Sequence, residues 1–330
     1  MTQKKKKVNL GKKRINLGLD RVRLEIKKAV VGQDNIINSV LRALLCNCHV
    51  LLEGVPGVAK TLLLKSIATT IGCANNRVQC TPDLLPADII GFTSYEKEKG
   101  FYISKGPIFS NFLLVDEINR ANPKTQSAFI EAMQEKQVTI GKKRFPLPPP
   151  FFVMATQNPI ESLGTYPLPE AQVDRFLFKI NMVYPTKAEE QEILQKNSTV
   201  RKFEDIGVKK VLTKEKLFKM QKLVNNVFLD PKIEEYIVSI VEATRKPELY
   251  KIKLGKYVEW GGSPRASIGL FIASKAEALL NNRMYVTPQD VKVVAYDVIR
   301  HRLIMNYEGQ AEGIKPEAVI QEILSKIAVP

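Results

Sequence analysis

Glu53–Thr61 reads EGVPGVAKT, and this stretch decides the fold. It comes within one residue of the phosphate-cradling pattern G-x-x-x-x-G-K-[ST]: Gly54 is the first glycine, Lys60-Thr61 closes the loop, and Ala59 stands where the second glycine belongs. The run before it, HVLLEG (His49–Gly54), is short, apolar and glycine-terminated, as a covered strand would be, and Thr61–Ile71 suits a helix. Strand, loop and helix in that order let backbone N–H groups and the positive end of a helix face phosphate. Lys60 would then reach the β/γ-phosphates and the Thr61 hydroxyl would hold Mg²⁺. Gly54 and Gly57 allow close backbone approach, and Pro56 stiffens the turn. Ala59 adds one methyl group, which is tolerable with the backbone at negative φ and the methyl turned away from phosphate.

Further apolar runs repeat the strand signal at Phe112–Glu117 (FLLVDE), Phe151–Thr156 (FFVMAT) and Phe176–Tyr184 (FLFKINMVY). Short continuous apolar runs suit parallel strands covered on both faces. Between them, Asn122 caps a helix over Asn122–Glu135 with Pro123 at its first position, and Phe129, Ile130 and Met133 share a stripe. In QVTIGKKRFPL (Gln137–Leu147), Val138 and Ile140 alternate with polar residues before Gly141, which predicts a hairpin. This half is therefore α/β, a parallel sheet sandwiched by helices.

Past Tyr184-Pro185 the pattern becomes helical. Thr186–Glu189 (TKAE) is a capping box. Thr213, Asp230-Pro231, Ser263–Ser267 (SPRAS) and Thr287–Asp290 (TPQD) each open a helix, the last running to about Leu303, and another follows Lys315-Pro316. Three divisions follow: a basic arm over 1–16, a nucleotide-binding α/β domain over 17–185, and an all-helical lid over 186–330.

VDE (Val115–Glu117) ends an apolar strand in adjacent carboxylates that point differently, because side chains alternate along a strand. Asp116 can face the Mg²⁺ shell, partly through water, and Glu117 can prime the attacking water. Asn158, in ATQNP (Ala155–Pro159), sits where the next strand ends and can position that water. Phosphoryl transfer spreads negative charge over the γ-oxygens, and an arginine there is worth about 10³–10⁵ in rate. Arg175 lies at the end of a short helix in PEAQVDRF, and Arg265 in the first turn of the SPRAS helix. A cation at a helix N-terminus opposes the helix dipole, which points to a phosphate nearby.

Composition bounds the rest. The 330 residues suggest about two domains, and 45% hydrophobic residues exclude wholesale disorder. Fifty Lys and Arg against 34 Asp and Glu give +16, read as a lysine-rich solvated surface. No apolar run reaches the ~20 residues of a membrane span, and the basic start has no following apolar core, so it does not read as a signal peptide. The four cysteines fit reduced thiols and a cytoplasmic location. Cys46, Cys48 and His49 hint at metal, but their strand context favours core packing. Trp260, beside Gly261-Gly262, suits an interface or a packed hinge.

Taken in order, VVGQ (Val30–Gln33), GVPGVAKT, LLVDEINRA, EKQVTIG, ATQNP, LPEAQVDRF and SPRAS resemble the MoxR-type AAA+ ATPases, from about Val30 through the lid. In that family an alanine before the loop lysine is usual. The resemblance implies a P-loop NTPase fold, ATP with Mg²⁺, and chaperone-like remodelling, maturation or activation of partner proteins. It implies nucleotide contacts at Val31, Gly32 and Gln33 by the adenine and at Gly54, Val55, Pro56, Gly57, Val58, Ala59, Lys60, Thr61 and Leu62. Metal ligation falls to Thr61 and Asp116. Glu117 and Asn158 would be catalytic, Arg175 a finger acting on a neighbour's nucleotide, and Arg265 the second sensor. Thr81–Gly91 looks like the family's insertion, and Gln137–Leu147 like its hairpin. A trans-acting arginine requires head-to-tail packing, which closes into a ring, by resemblance a hexamer. Partners carrying von Willebrand factor A domains are implied as well. A nucleic-acid-stimulated ATPase, or a metal-chelatase-type motor subunit, are the competing readings; no helix-turn-helix or aromatic single-strand platform supports the first.

Overall fold

The computed structural model describes residues 18–54, 57–98, 100–158, 164–196 and 203–330. The expected arm over 1–16, together with Val55, Pro56 and Pro159, lies outside them. Two helices, α1 (Leu19–Ala29) and α2 (Asp34–Leu45), lead into β1 (Val50–Gly54) and α3 (Lys60–Ile71). There follow β2 (Asn75–Gln79), α4 (Pro86–Ile90), β3 (Gly91–Glu96), β4 (Gly100–Lys105), β5 (Phe112–Asp116) and α5 (Pro123–Glu135). Then come β6 (Gln137–Ile140), β7 (Lys143–Pro146), β8 (Phe152–Gln157), α6 (Glu170–Val173) and β9 (Phe178–Met182).

Five of these strands form one parallel sheet in the order β2-β5-β8-β1-β9. The loop-bearing strand β1 lies between β8 and β9, with Val50 opposite Met154 on one side and Phe178 on the other. Side chains alternate between two cores, as the two-residue period of a strand requires. Val50, Leu52, Phe112, Leu114, Phe152 and Met154 pack with Ile26, Val40, Leu63 and Ile67 of α1–α3. Leu51, Leu113, Val115, Val153 and Ala155 pack on the opposite face with Phe129, Ile130 and Met133 of α5. Each fully buried aliphatic or aromatic side chain contributes about 1.5–3 kcal/mol, so both faces must be covered.

Two elements of this half escaped the sequence reading. β2 (NNRVQ) buries only Val78, because an edge strand with one solvated face needs no apolar run. The expected insertion Thr81–Gly91 carries α4 and continues into an antiparallel hairpin, β3–β4, pairing Tyr95 with Phe101. The expected hairpin over Gln137–Leu147 is present as β6–β7.

Beyond Met182 the chain builds α7 (Lys187–Lys196), α8 (Lys214–Asn226), α9 (Pro231–Arg245), β10 (Val258–Trp260), α10 (Pro264–Leu280), α11 (Pro288–Ile299), β11 (Ile304–Met305), α12 (Tyr307–Ala311) and α13 (Pro316–Lys326). The anticipated caps are in place. Thr213 Oγ1 accepts from Lys216 N at 3.3 Å, Asp230 Oδ1 from Lys232 N at 2.9 Å, and Ser263 Oγ from Arg265 N at 3.2 Å. The lid is helical but not wholly so, since β10 and β11 form a small antiparallel ribbon. The helix opened by Thr287, α11, also ends at Ile299 rather than near Leu303, because the chain tightens into a 3₁₀ turn at Arg300–Arg302. That turn directs the Arg302 guanidinium inward, where it donates to backbone carbonyls.

Polar bonds cross from the sheet half to the lid. Arg42 of α2 forms a buried ion pair with Glu277 of α10, and Ser39 Oγ donates to Asp297 of α11 at 2.5 Å. Among the described residues, no helix is long and apolar enough to cross a membrane.

Candidate nucleotide site

β1 ends inside the sheet, between β8 and β9, and α3 begins six residues later, so the loop between them opens at the carboxyl edge of the strands. Gly57 has φ +84°. Gly54 owes its identity to a close approach of another kind: a Cβ there would stand 2.7 Å from both Cβ and the carbonyl oxygen of Met182 on β9. Ala59 departs from expectation. Its backbone is left-handed, φ +58° and ψ 27°, where negative φ was expected. The chain must reverse curvature immediately before the first turn of α3, and the left-handed region provides that bend at about 1–2 kcal/mol for a residue with a Cβ. Lys60 Nζ donates to the carbonyl of Gly54 at 2.8 Å, closing the loop on itself. Partial burial lowers the Lys60 pKa, and the carboxylates of Asp116 and Glu117 oppose that shift, so all three side chains share one electrostatic environment. Thr61 and Leu62 follow in the first turn of α3, both half-buried.

The acid pair closes β5, one strand beyond β8. Asp116 is the last strand residue, and Glu117 turns out of the strand at φ +55°. A single hydroxyl ties them together: Thr156 Oγ1 donates to Asp116 Oδ1 at 2.6 Å and accepts from Glu117 N at 2.8 Å. The other Asp116 oxygen accepts from Arg77 Nη2 at 2.6 Å, and Gln79 Nε2 donates to Glu117 Oε2 at 2.8 Å. Arg120 Nε lies 3.2 Å from the same Glu117 oxygen. Asn158 is buried immediately after β8, at the same sheet edge.

Gln33, just before α2, reaches the loop directly. Its Nε2 donates to the carbonyl of Val58 at 3.2 Å, while its Oε1 is buried without a partner. Gly32 lies under the side chain of Glu189, which caps α7 through Thr186 N at 2.7 Å. Val31 is half-buried beside them.

Four residues expected to be catalytic thus divide into two groups. Glu117 and Asn158 stand at the sheet edge with the loop. Arg175 and Arg265 line a separate cavity of about 300 Å³, which Lys60, Thr61, Asp116 and Glu117 do not line. Asp174 organises that second group. Its Oδ2 accepts from Arg265 Nη1 at 3.2 Å and its Oδ1 from Arg302 Nε at 2.6 Å. The charge of Arg265 at the N-terminus of α10 is therefore answered by a carboxylate of this chain. Arg175, next along, is half-buried with Nε lacking a partner.

His49 is held as a core residue. Val153 N donates to its Nδ1 at 3.0 Å and its Nε2–H donates to the carbonyl of Met133 at 3.1 Å, so both ring nitrogens are engaged. Burial lowers its pKa to about 4. Cys46 and Cys48 direct their thiols at backbone carbonyls, and no group of three metal-ligating residues occurs among the described residues. Sequence reasoning missed Arg77, Gln79, Thr156, Asp174 and Arg302. The signal for the first two was the alternation Arg77, Val78, Gln79, which puts both polar groups on one face of β2. The others are ordinary polar residues until the fold brings them to the acids and arginines.

Residues 49–178 match the profile of the ATPase family associated with various cellular activities, and residues 255–323 match that of the AAA lid domain. Chaperone MoxR1 of Mycobacterium tuberculosis is 48% identical over 93% of this chain and 81% of its own length. An uncharacterized Bacillus subtilis protein, YeaC, is 46% identical over 92% of each chain, and protein MoxR of Methylorubrum extorquens 31% identical over 93% of each. A crystal structure from Cytophaga hutchinsonii, of a protein assigned as an ATPase, superposes with TM-score 0.88 over 94% of each chain at 46% identity.

Proposed function

The chain belongs to the MoxR family of AAA+ ATPases, and on that premise we propose that it hydrolyses ATP with Mg²⁺ to drive chaperone-like remodelling, maturation or activation of partner proteins in the cytoplasm. One observation carries the reading. Lys60, at the start of a helix behind a glycine loop, shares its surroundings with Asp116 and Glu117 at the carboxyl edge of a parallel sheet. The donor set suits the metal: a hydroxyl at Thr61 and a carboxylate at Asp116 are hard oxygen ligands. When bound, Mg²⁺ neutralises charge on the β- and γ-phosphates.

The remaining steps fall to the protein. Lys60 Nζ exchanges the Gly54 carbonyl for phosphate oxygens, and α3 presents its free N–H groups to them. Val31, Gly32 and Gln33 stand by the adenine, with Val58 and Leu62 alongside. Glu117 orients the attacking water and receives its proton, with Asn158 holding that water from the neighbouring strand. Arg175 is offered to the nucleotide of an adjoining subunit, and Arg265, paired with Asp174 beside it, is the second sensor. Head-to-tail contacts of this kind close into a ring, here a hexamer. Partners carrying von Willebrand factor A domains are the clients that the family suggests.

The test is ATP binding and turnover in two variants. Lys60→Ala should lose nucleotide binding; Glu117→Gln should keep binding and lose turnover. Turnover surviving in both would overturn the assignment. Partners captured by Glu117→Gln with ATP and not with ADP would identify the client.

A further inference from the structure

We propose that the indole of Trp260, with the cavity beside it, is a contact surface for a second copy of this chain, continuous with the surface that carries Arg175 and Arg265. The inference rests on the reading that Arg175 serves a neighbour's nucleotide. Trp260 ends β10 and is 66% exposed. It is nevertheless held in place. In the ribbon it pairs with Ile304 of β11. The following backbone is pressed against α9: a Cβ at Gly261 would stand 2.3 Å from the carbonyl oxygen of Thr244, and Gly262 N donates to Thr244 Oγ1 at 2.9 Å. Ser263, next, caps α10, and Arg265 lies two residues on. Trp260 and Arg265 are thus the two ends of one short, fixed segment.

Asp174 joins that segment to Arg175. It lines the cavity containing both arginines and also a second cavity, of about 180 Å³, bordered by Trp260 and His301. In the second cavity His301 uses Nε2 on the carbonyl of Phe176 at 3.1 Å, while its Nδ1 is buried with no partner. Burial holds the ring neutral, so Nδ1 offers an unused acceptor lone pair. A buried acceptor left unsatisfied is destabilising until a donor reaches it. A hydroxyl, amide or ammonium from the adjoining subunit would satisfy it as the same subunit covers the indole. Trp and Arg are the residue types that dominate contact energies between proteins. A neighbour whose nucleotide reaches Arg175 comes up beside this surface, since Asp174, the residue before Arg175, also lines the cavity bordered by Trp260.

Trp260 is the single tryptophan of the chain, so its emission reports on this surface alone. Glu117→Gln would be titrated with ATP while assembly is followed by sedimentation velocity and the indole by emission wavelength and acrylamide quenching. Assembly should move emission to shorter wavelength and reduce quenching. Subunits that assemble while the indole stays as exposed as in the monomer would overturn the inference and leave the trans-acting Arg175 standing. A chain that never assembles with ATP would remove that underlying reading, and the inference with it. Trp260→Ala, in the same background, should bind ATP like its parent yet assemble about tenfold more weakly or worse; assembly at the parent's strength would also overturn it.

Discussion

Arg77 Nη2 stands 2.6 Å from Asp116 Oδ2, so a strand-edge guanidinium occupies one oxygen of the carboxylate proposed to serve Mg²⁺. Arg77 is half-exposed, and ion pairs of that kind are worth about 0.2–1 kcal/mol. Competition between guanidinium and metal predicts that Arg77→Ala lowers the Mg²⁺ concentration giving half-maximal ATPase activity, by no more than about fivefold. A Mg²⁺ titration of both proteins checks this, and a rise in the half-maximal concentration would refute it.

Ala59 holds a left-handed backbone at about 1–2 kcal/mol. Glycine would remove that strain but give the unfolded chain about 0.4–1 kcal/mol more conformational freedom. Ala59→Gly should therefore raise stability by roughly 0.5–1 kcal/mol, read as an increase in the denaturant midpoint at unchanged slope. A loss of stability would show that the methyl makes favourable contacts outweighing the strain.

Asp174 joins Arg265 and Arg302, and the Arg302 side chain is almost fully buried. Removing one partner of a buried pair leaves an uncompensated charge and costs about 3–5 kcal/mol. Arg302 keeps its backbone carbonyl acceptors, so Asp174→Ala should fall at or below the lower end of that range, about 2–3 kcal/mol. ATPase activity should drop as well, since Arg265 loses its positioning carboxylate. Asp174→Asn, which keeps an acceptor, should recover part of each; equal stability in all three proteins would contradict the arrangement.

His49 has its folded pKa lowered to about 4 from 6.5 by burial. A histidine that resists protonation in the folded state draws the chain towards unfolding in acid. Its contribution is intact above pH 6.5 and is lost as pH falls towards 4, amounting to roughly 3 kcal/mol. His49→Gln keeps a donor and an acceptor but does not titrate. Its stability should fall less steeply than the parent's between those pH values, as measured by denaturant unfolding; identical slopes would exclude the effect.

Much of this architecture was legible in the chain itself. The apolar runs at His49–Gly54, Phe112–Glu117 and Phe151–Thr156 declared buried parallel strands because both faces of such strands must be covered, leaving no polar alternation to confuse them. The caps at Asn122, Thr213 and Asp230 were legible for a similarly local reason, since each satisfies N–H groups within three residues. Loop, acid pair and arginines could be named because phosphate chemistry demands particular residue types in a particular order. Tertiary structure alone decided three things. It set the left-handed bend at Ala59, which depends on how the loop must meet α3. It placed Arg77, Gln79 and Thr156 on the acids, which only the strand order β2-β5-β8 brings about. And it brought Arg265 to Asp174, ninety-one positions earlier and beside Arg175, because nothing local in a sequence encodes which distant carboxylate a guanidinium will find.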